Sequence, residues 1–319
     1  MSPIPNWLAA PPADAAIEIA PEAVSAAALT VRGTEVVVQG YANEPLPAGA
    51  LTASLTAQNV ADRRAVAAAI QAVTERLPTR PRRVALLVPD LTARVSLVRF
   101  DKVPARAEDL EQLVRWQVRK SAPFPVEESV LTIAPGARTA EGAEFIAVLA
   151  RRAVIRDYET LSEELGMHAG LVDLTTFGLV NLLLAGASLP AGDWLVVHVR
   201  PDYISLAIMR SDNMIFFRNV PGGEPEALAD AVHQTTMYHQ DRLSGRGFSQ
   251  VLLGGAGRTA GALDTARRSL ETRLGVAVRP IDVSRLVSTA GGGGATSDRL
   301  AMLAPLVGTL LRMRAQVAA

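Results

Sequence analysis

The nine residues Ile17-Glu18-Ile19-Ala20-Pro21-Glu22-Ala23-Val24-Ser25 can be laid without a gap over Val197-His198-Val199-Arg200-Pro201-Asp202-Tyr203-Ile204-Ser205. The second copy begins 180 residues after the first in a chain of 319. Each copy then enters a small-residue strand, a polar turn (Arg32–Thr34 or Arg210–Asn213) and a third strand. Short-period arrays repeat every ~20–50 residues, so this spacing predicts two duplicated halves, each opening with a β-meander. Meanders alternating with helices predict an α/β fold in two lobes with a cleft between them.

The rest of the chain fills in that plan. Strands are expected at Ala16–Ala20, Val24–Val31 and Val36–Tyr41, then an Ala-rich helix over Val60–Leu77 that Pro78 stops. Val84–Val88 is a continuous apolar run, as in a strand covered on both faces. Residues 95–173 read as strand, helix, strand, strand, helix, strand. The second of these helices carries Val154, Tyr158, Leu161 and Leu165 as one stripe, with Gly166 at its C-cap. After the second meander come a helix at about 224–243, a strand at Gln250–Leu253, a Gly-Gly-Ala-Gly turn and a helix over about 259–274. A glycine loop at Gly291–Gly294 and a last helix over about 297–314 close the chain.

Composition excludes several functions. Lys+Arg and Asp+Glu each total 32, so no net field draws the chain to nucleic acid or an anionic membrane. Cysteine is absent, which removes disulfides and thiolate metal sites and fits a reducing cytosol. No run reaches the ~20 apolar residues that span a bilayer, and direct membrane insertion is not expected. The proline-punctuated start, with Trp7 and Leu8, has no basic flank and reads as a flexible arm over 1–14 rather than a signal peptide. The four histidines (168, 198, 233 and 239) form no His-Glu-x-x-His pair, and Ser25 and Ser205 have no histidine beside them in the sequence.

Duplicated meander-plus-helix halves resemble the actin, Hsp70 and sugar-kinase superfamily, a ribonuclease H-like fold. The segment Lys102-Val103-Pro104, followed by a helix that stops at Ala122-Pro123-Phe124-Pro125-Val126-Glu127-Glu128, resembles the small α+β subdomain inserted in PilM and FtsA, and favours PilM. The tail from Asp298 to Arg314 is similar to the closing helix of PilM-type proteins. The resemblance covers roughly residues 15–314. It implies a first half over 15–94, an insert over 95–173 and a second half over 174–319.

It also implies a site. Actin-like ATPases hold a phosphate tail between two hairpins that open with Asp-x-Gly, where glycine allows close backbone approach. A PilM-type first hairpin resembles Asp-Ile-Gly-Ser-Ser-Ser-x-Lys. The matching residues run Glu18, Ile19, Ala20, Pro21, Glu22, Ala23, Val24, Ser25, with the glycine and lysine replaced. The second hairpin has His198-Val199-Arg200 for Asp-x-Gly. Arg200 is left with two readings, a phosphate partner or a residue of a degenerate site. Asp173 matches the family acid that orients the attacking water, or caps the helix that follows it. Gly254, Gly255 and Gly257 match the adenosine-side Gly-Gly-x-Gly turn, or serve close packing. ATP and Mg²⁺ are therefore possible but weakly supported cofactors.

The PilM resemblance also implies a partner, the short N-terminal peptide of the membrane protein PilN. It implies further pilus inner-membrane and motor components, and a cytoplasmic location at the membrane through a partner. Trp116 and Phe124, with Arg115 and Arg119, are expected either to seal the insert or to line the groove that receives the peptide. The leading expectation is a scaffold with a degenerate nucleotide site. The alternatives are an active actin-like ATPase, a GspL-like component of type II secretion, which would continue into a membrane helix, or a sugar kinase.

Overall fold

The computed structural model describes residues 12–32, 35–186, 189–255, 261–289 and 297–318. Trp7, Leu8, Gly257 and the glycine loop at 291–294 lie outside the described residues. The chain opens with the meander β1 (Ala15–Ile19), β2 (Ala23–Arg32) and β3 (Glu35–Pro45), followed by α1 (Arg63–Glu75) and β4 (Arg83–Val88). The arm expected over 1–14 ends earlier. Ala13 is buried and the Asp14 carboxylate accepts from the backbone N–H of Arg82 and Arg83 at 2.9 and 3.0 Å. Helix α1 starts at a cap, Asp62, which accepts from the Ala65 N–H at 3.0 Å.

The middle of the chain comprises β5 (Ala93–Phe100), α2 (Ala107–Val118), β6 (Ser129–Thr139), β7 (Gly142–Arg151), α3 (Arg152–Glu164) and β8 (His168–Leu174). Only β5, β7 and β6 form the small three-stranded sheet, in that order. Strand β8, expected inside the insert, instead pairs parallel with β4, Leu86 beside Val172. The stripe of α3 (Val154, Tyr158, Leu161) is buried in the same core as α1, and Tyr158 accepts from Asn59. These two elements therefore extend the first half, and the self-contained insert is β5–α2–β6–β7.

The second half begins with α4 (Thr175–Leu184) and continues through β9 (Asp193–Val199), β10 (Tyr203–Arg210), β11 (Asn213–Pro221), α5 (Pro225–Arg242), β12 (Gln250–Gly255), α6 (Ala262–Leu274) and β13 (Val278–Pro280). It closes with β14 (Val287–Thr289) and α7 (Ser297–Ala318). The duplication appears in the registers. Glu18 sits opposite Ser25 in the first meander, and His198 sits opposite Ser205 in the second. Strand orders agree as well: β3-β2-β1-β4-β8 in the first sheet, which β14 extends beyond β3, and β11-β10-β9-β12-β13 in the other. Even the turns correspond, since Ala20 N–H donates to Ala23 O and Arg200 N–H to Tyr203 O.

Helices α4 and α7 lie between the two sheets. One core joins Ala16, Ala27 and Leu87 of the first sheet to Val196, Ala207 and Leu252 of the second through Leu179, Leu306 and Val307. The two helices cross at Gly178 and Gly308. A Cβ added at Gly308 would stand 2.0 Å from Gly178 O and 2.6 Å from Leu182 N. Those are backbone atoms within packed helices and cannot rotate away. Gly308→Ala should therefore cost at least the ~1–3 kcal/mol of an overpacked core. The check is urea unfolding: the midpoint should fall with an unchanged slope, and an unshifted midpoint would contradict the close crossing.

Candidate functional site

Where the halves face each other, the loops after β1 and β9 converge. The Arg200 guanidinium lies 3.1 Å from a Glu18 carboxylate oxygen and 2.6 Å from Glu22. Glu18 and Arg200 are almost wholly buried. Burial pushes the Glu18 carboxyl above its ordinary range, and the Arg200 charge offsets part of that rise. The cation that sequence left open as a phosphate partner is thus committed to two carboxylates of the opposite hairpin. Ala20 and Pro21 complete that hairpin without the glycine, and Pro21 has no N–H to offer an anion.

Behind this ion triad lies a second buried polar cluster, centred on Asp90, which follows β4. Its Oδ1 accepts from the Thr176 N–H at 3.1 Å, and its Oδ2 accepts from the hydroxyls of Ser205, at 2.5 Å, and Thr176. Asp90 O accepts from Asn219 Nδ2 at 2.7 Å. Thr176 has one hydroxyl hydrogen; donating it to Asp90 leaves its oxygen to accept from His198 Nδ1–H at 2.6 Å. Burial, with Arg200 nearby, holds His198 well below its ordinary pKa, so the ring is neutral. Asp90 belongs to the first half and Ser205, His198 and Asn219 to the second, so the cluster ties the lobes together. It also supplies the cap of α4 that sequence reasoning had offered to Asp173.

Asp173 does something else. It accepts from the Leu174 N–H at 2.9 Å and from Arg312 of α7 at 3.0 Å. Burial pushes its carboxyl up to about 6, against the pull of Arg312. It lines a groove described below. Gly254 and Gly255, the described part of the glycine turn, are explained by packing. A Cβ at Gly255 would stand 2.0 Å from Val199 O, and one at Gly254 would stand 2.9 Å from Leu179. Among the described residues no group of three or more His, Asp or Glu is placed to hold a metal ion.

The groove has a volume of about 540 Å³. Its walls are one face of the small sheet (Val130, Thr132, Ala134, Ile146, Val148), strand β8 and α4; Asn213 and Met214 of the second half close one side. Both β8 and β6 are terminal strands of their sheets. The expected groove residues are elsewhere for a simple reason of pleat. Side chains alternate across a strand. Phe145, Ala147 and Leu149 of β7 point to α2, and Ile146, Val148 and Ala150 point to the groove. Phe124 packs on the α2 side. Arg115, Trp116 and Arg119 line a separate shallow hollow there, with Trp116 70% exposed and the two arginines paired with Glu111 and Glu127.

The ion triad yields a direct expectation. Arg200→Ala leaves Glu18 buried without its partner, which should cost ~3–5 kcal/mol. Adding Glu18→Gln should recover much of that in thermal unfolding. Equal loss in the single and double variants would show that the pair is not coupled.

A comparison with curated proteins finds no match. A chain of a solved PilM–PilN type IV pilus biogenesis complex superposes with a TM-score of 0.80 at 20% identity, over 97% of this chain and 100% of that one. The cytoplasmic domain of EpsL, an inner-membrane component of the Vibrio cholerae type II secretion system, gives 0.51 at 9% identity over 95% and 94%. The ethanolamine utilization protein EutJ from Carboxydothermus hydrogenoformans gives 0.50 at 9% over 95% and 90%. At these identities the likeness establishes the fold, and a protein of Bacteroides thetaiotaomicron described as having an actin-like ATPase fold matches as well, with a TM-score of 0.50 at 10% identity over 86% and 92%. The family described as type IV pilus assembly protein PilM matches residues 16–241, well over half of the sequence. The chain is a member of the PilM family of type IV pilus assembly proteins, built on the actin-like fold.

Proposed function

We propose that this chain serves pilus assembly as a scaffold that does not turn over nucleotide, and that it holds the cytoplasmic N-terminal segment of a PilN-like membrane protein. The observation that carries the first part is the ion triad. Glu18, Glu22 and Arg200 fill the place between the hairpins where an actin-like ATPase holds phosphate. A triphosphate would have to displace a buried ion pair and then lie against two carboxylates, a loss of several kcal/mol with ~1.4 kcal/mol per tenfold in affinity. Mg²⁺ and ATP do not fit the residues present between the hairpins. Asp173 is bonded to Arg312 of α7 and to the Leu174 N–H.

The second part rests on the groove. An edge strand offers unpaired N–H and C=O groups to an incoming extended segment, and flanking apolar pockets take alternate side chains. Strand β8 has seven residues, roughly 23 Å at ~3.3 Å each, enough to seat a short peptide. The aliphatic face of β6 and β7 stands opposite. The PilM–PilN complex that this fold matches makes a PilN-like protein the natural occupant. Attachment to the inner membrane would follow from that partner, since among the described residues no helix is long and apolar enough to cross a membrane.

Two measurements test the pair of claims. Calorimetric titration with ATP and Mg²⁺ should give no saturable heat at micromolar nucleotide; tight, saturable binding would sink the scaffold reading. Val148→Arg should weaken binding of a PilN N-terminal peptide at least ~30-fold by placing a charge in the apolar trough. Trp116→Ala, on the opposite face of the small sheet, should change it less than about twofold. The reverse pattern would move the site to the Trp116 hollow.

A further inference from the structure

The groove between the small sheet, β8 and α4 carries an uneven charge. Its described lining holds three carboxylates, Glu159, Asp173 and Asp212, against one cation, Arg312. The chain as a whole is balanced at 32 against 32, so the excess comes from placement. Asp173 is answered by Arg312 at 3.0 Å. Glu159 lies 3.4 Å from Arg156, a side chain that also holds Glu163 at 3.0 Å. Asp212 accepts from Asn213 Nδ2 at 2.7 Å and is in no ion pair among the described residues. Arg210, two positions before it, is taken by Asp193 with two bonds of 2.7 Å. The turn that carries Asp212 is held in place, since the indole N–H of the buried Trp194 donates to Ser211 O at 3.0 Å. An exposed carboxylate is thus fixed at the wall of a largely aliphatic trough. The hollow around Trp116, on the opposite face of the small sheet, has the opposite balance: Arg115, Arg119 and Arg152 against Glu127.

We propose, resting on the peptide-groove reading above, that the groove selects a cationic segment and that Asp212 pairs with a lysine or arginine side chain of the bound peptide. A cleft with apolar walls and charge of one sign gathers ions of the other, because the low-dielectric walls focus the field into it. The expected occupant supplies that cation on general grounds: cytoplasmic segments close to a membrane helix carry an excess of Lys and Arg. The Trp116 hollow, with its excess of arginine, repels the same segment, so charge as well as shape separates the two faces. Because Asp212 is exposed, its pairing acts mainly on the rate of association and on salt dependence, and less on the final affinity.

The test uses the full chain and the N-terminal cytoplasmic peptide of the PilN protein from the same organism. The peptide is N-acetylated, so that its cations are side chains alone, and carries fluorescein on an added C-terminal cysteine. Stopped-flow anisotropy gives the association rate and equilibrium anisotropy the affinity. Asp212→Asn should slow association and weaken binding about threefold, and Asp212→Lys about tenfold. Asp230→Asn, at an exposed position of α5 outside the groove lining, makes the same change of net charge and should alter either quantity less than about 1.5-fold. Asp212→Asn should also flatten the fall in association rate between about 50 and about 300 mM NaCl. A peptide with its Lys and Arg replaced by Glu should bind the unaltered chain more weakly, and Asp212→Lys should recover at least about threefold of that loss, a gain that misfolding cannot produce. Asp212 variants that behave like Asp230→Asn, or tight binding by a peptide that lacks Lys and Arg, would overturn the pairing and leave the groove standing, provided Val148→Arg still blocks it. Failure of the unaltered chain to bind the peptide at all would overturn both the groove reading and this inference.

Discussion

One guanidinium held by two carboxylates links the two halves of this molecule. Arg200 reaches from the second half to Glu18 and Glu22 of the first, in the mouth of the cleft that gives actin-like proteins their chemistry. Such a buried triad contributes little net stability over an apolar filling, because desolvation of the charges opposes their attraction. Its effect lies in exclusion and in geometry. Under the scaffold proposal it takes the place and the cation that phosphate would need, and the contact itself joins the two hairpins. The cluster of Asp90, Thr176, His198 and Ser205 adds a second set of ties just behind it. Inside a protein such buried networks are expensive to open, since each broken bond strands a polar group away from water.

A fixed cleft has a consequence for the groove on the other side. The small sheet hangs from the first half, yet Val95, Leu97 and Ile146 pack into the same core as Met209, Met214 and Phe217 of the second. The trough between the small sheet and β8 is therefore walled by both halves. Under the scaffold proposal the tied lobes set its width without nucleotide. A preformed, apolar trough binds an extended segment with less ordering cost than one that must assemble around it.

Much of this was legible in the sequence, and the failures have physical causes. The repeat at positions 17 and 197 could be read because strand, Pro-containing turn and strand recur residue for residue, and the registers Glu18–Ser25 and His198–Ser205 follow from it. The loss of glycine at Ala20 and Arg200 was visible for the same reason. The pairing of Arg200 with Glu18 was not, because a contact between residues 182 positions apart (18 to 200) leaves no local pattern. Asp90 was passed over: Pro89-Asp90 after an apolar strand reads as an ordinary turn, and its role appears only when α4 is placed beside it. Strand β8 looked like part of the insert since its half-buried pattern does not reveal which sheet it joins. Trp116 drew notice as an aromatic in an aliphatic chain, but the pleat of β7 puts α2 and the groove on opposite faces.

The central claim is that the lobes are tied and the cleft is filled, and it can be measured as a distance. The chain has no cysteine, so Gln71→Cys on α1 and Ser269→Cys on α6, both exposed, can carry one spin label each without interference. Pulsed electron resonance between them should give one narrow distance distribution that stays in place when millimolar ATP and Mg²⁺ are added. A distribution that broadens or moves by several ångströms with nucleotide would show a working cleft and contradict the account.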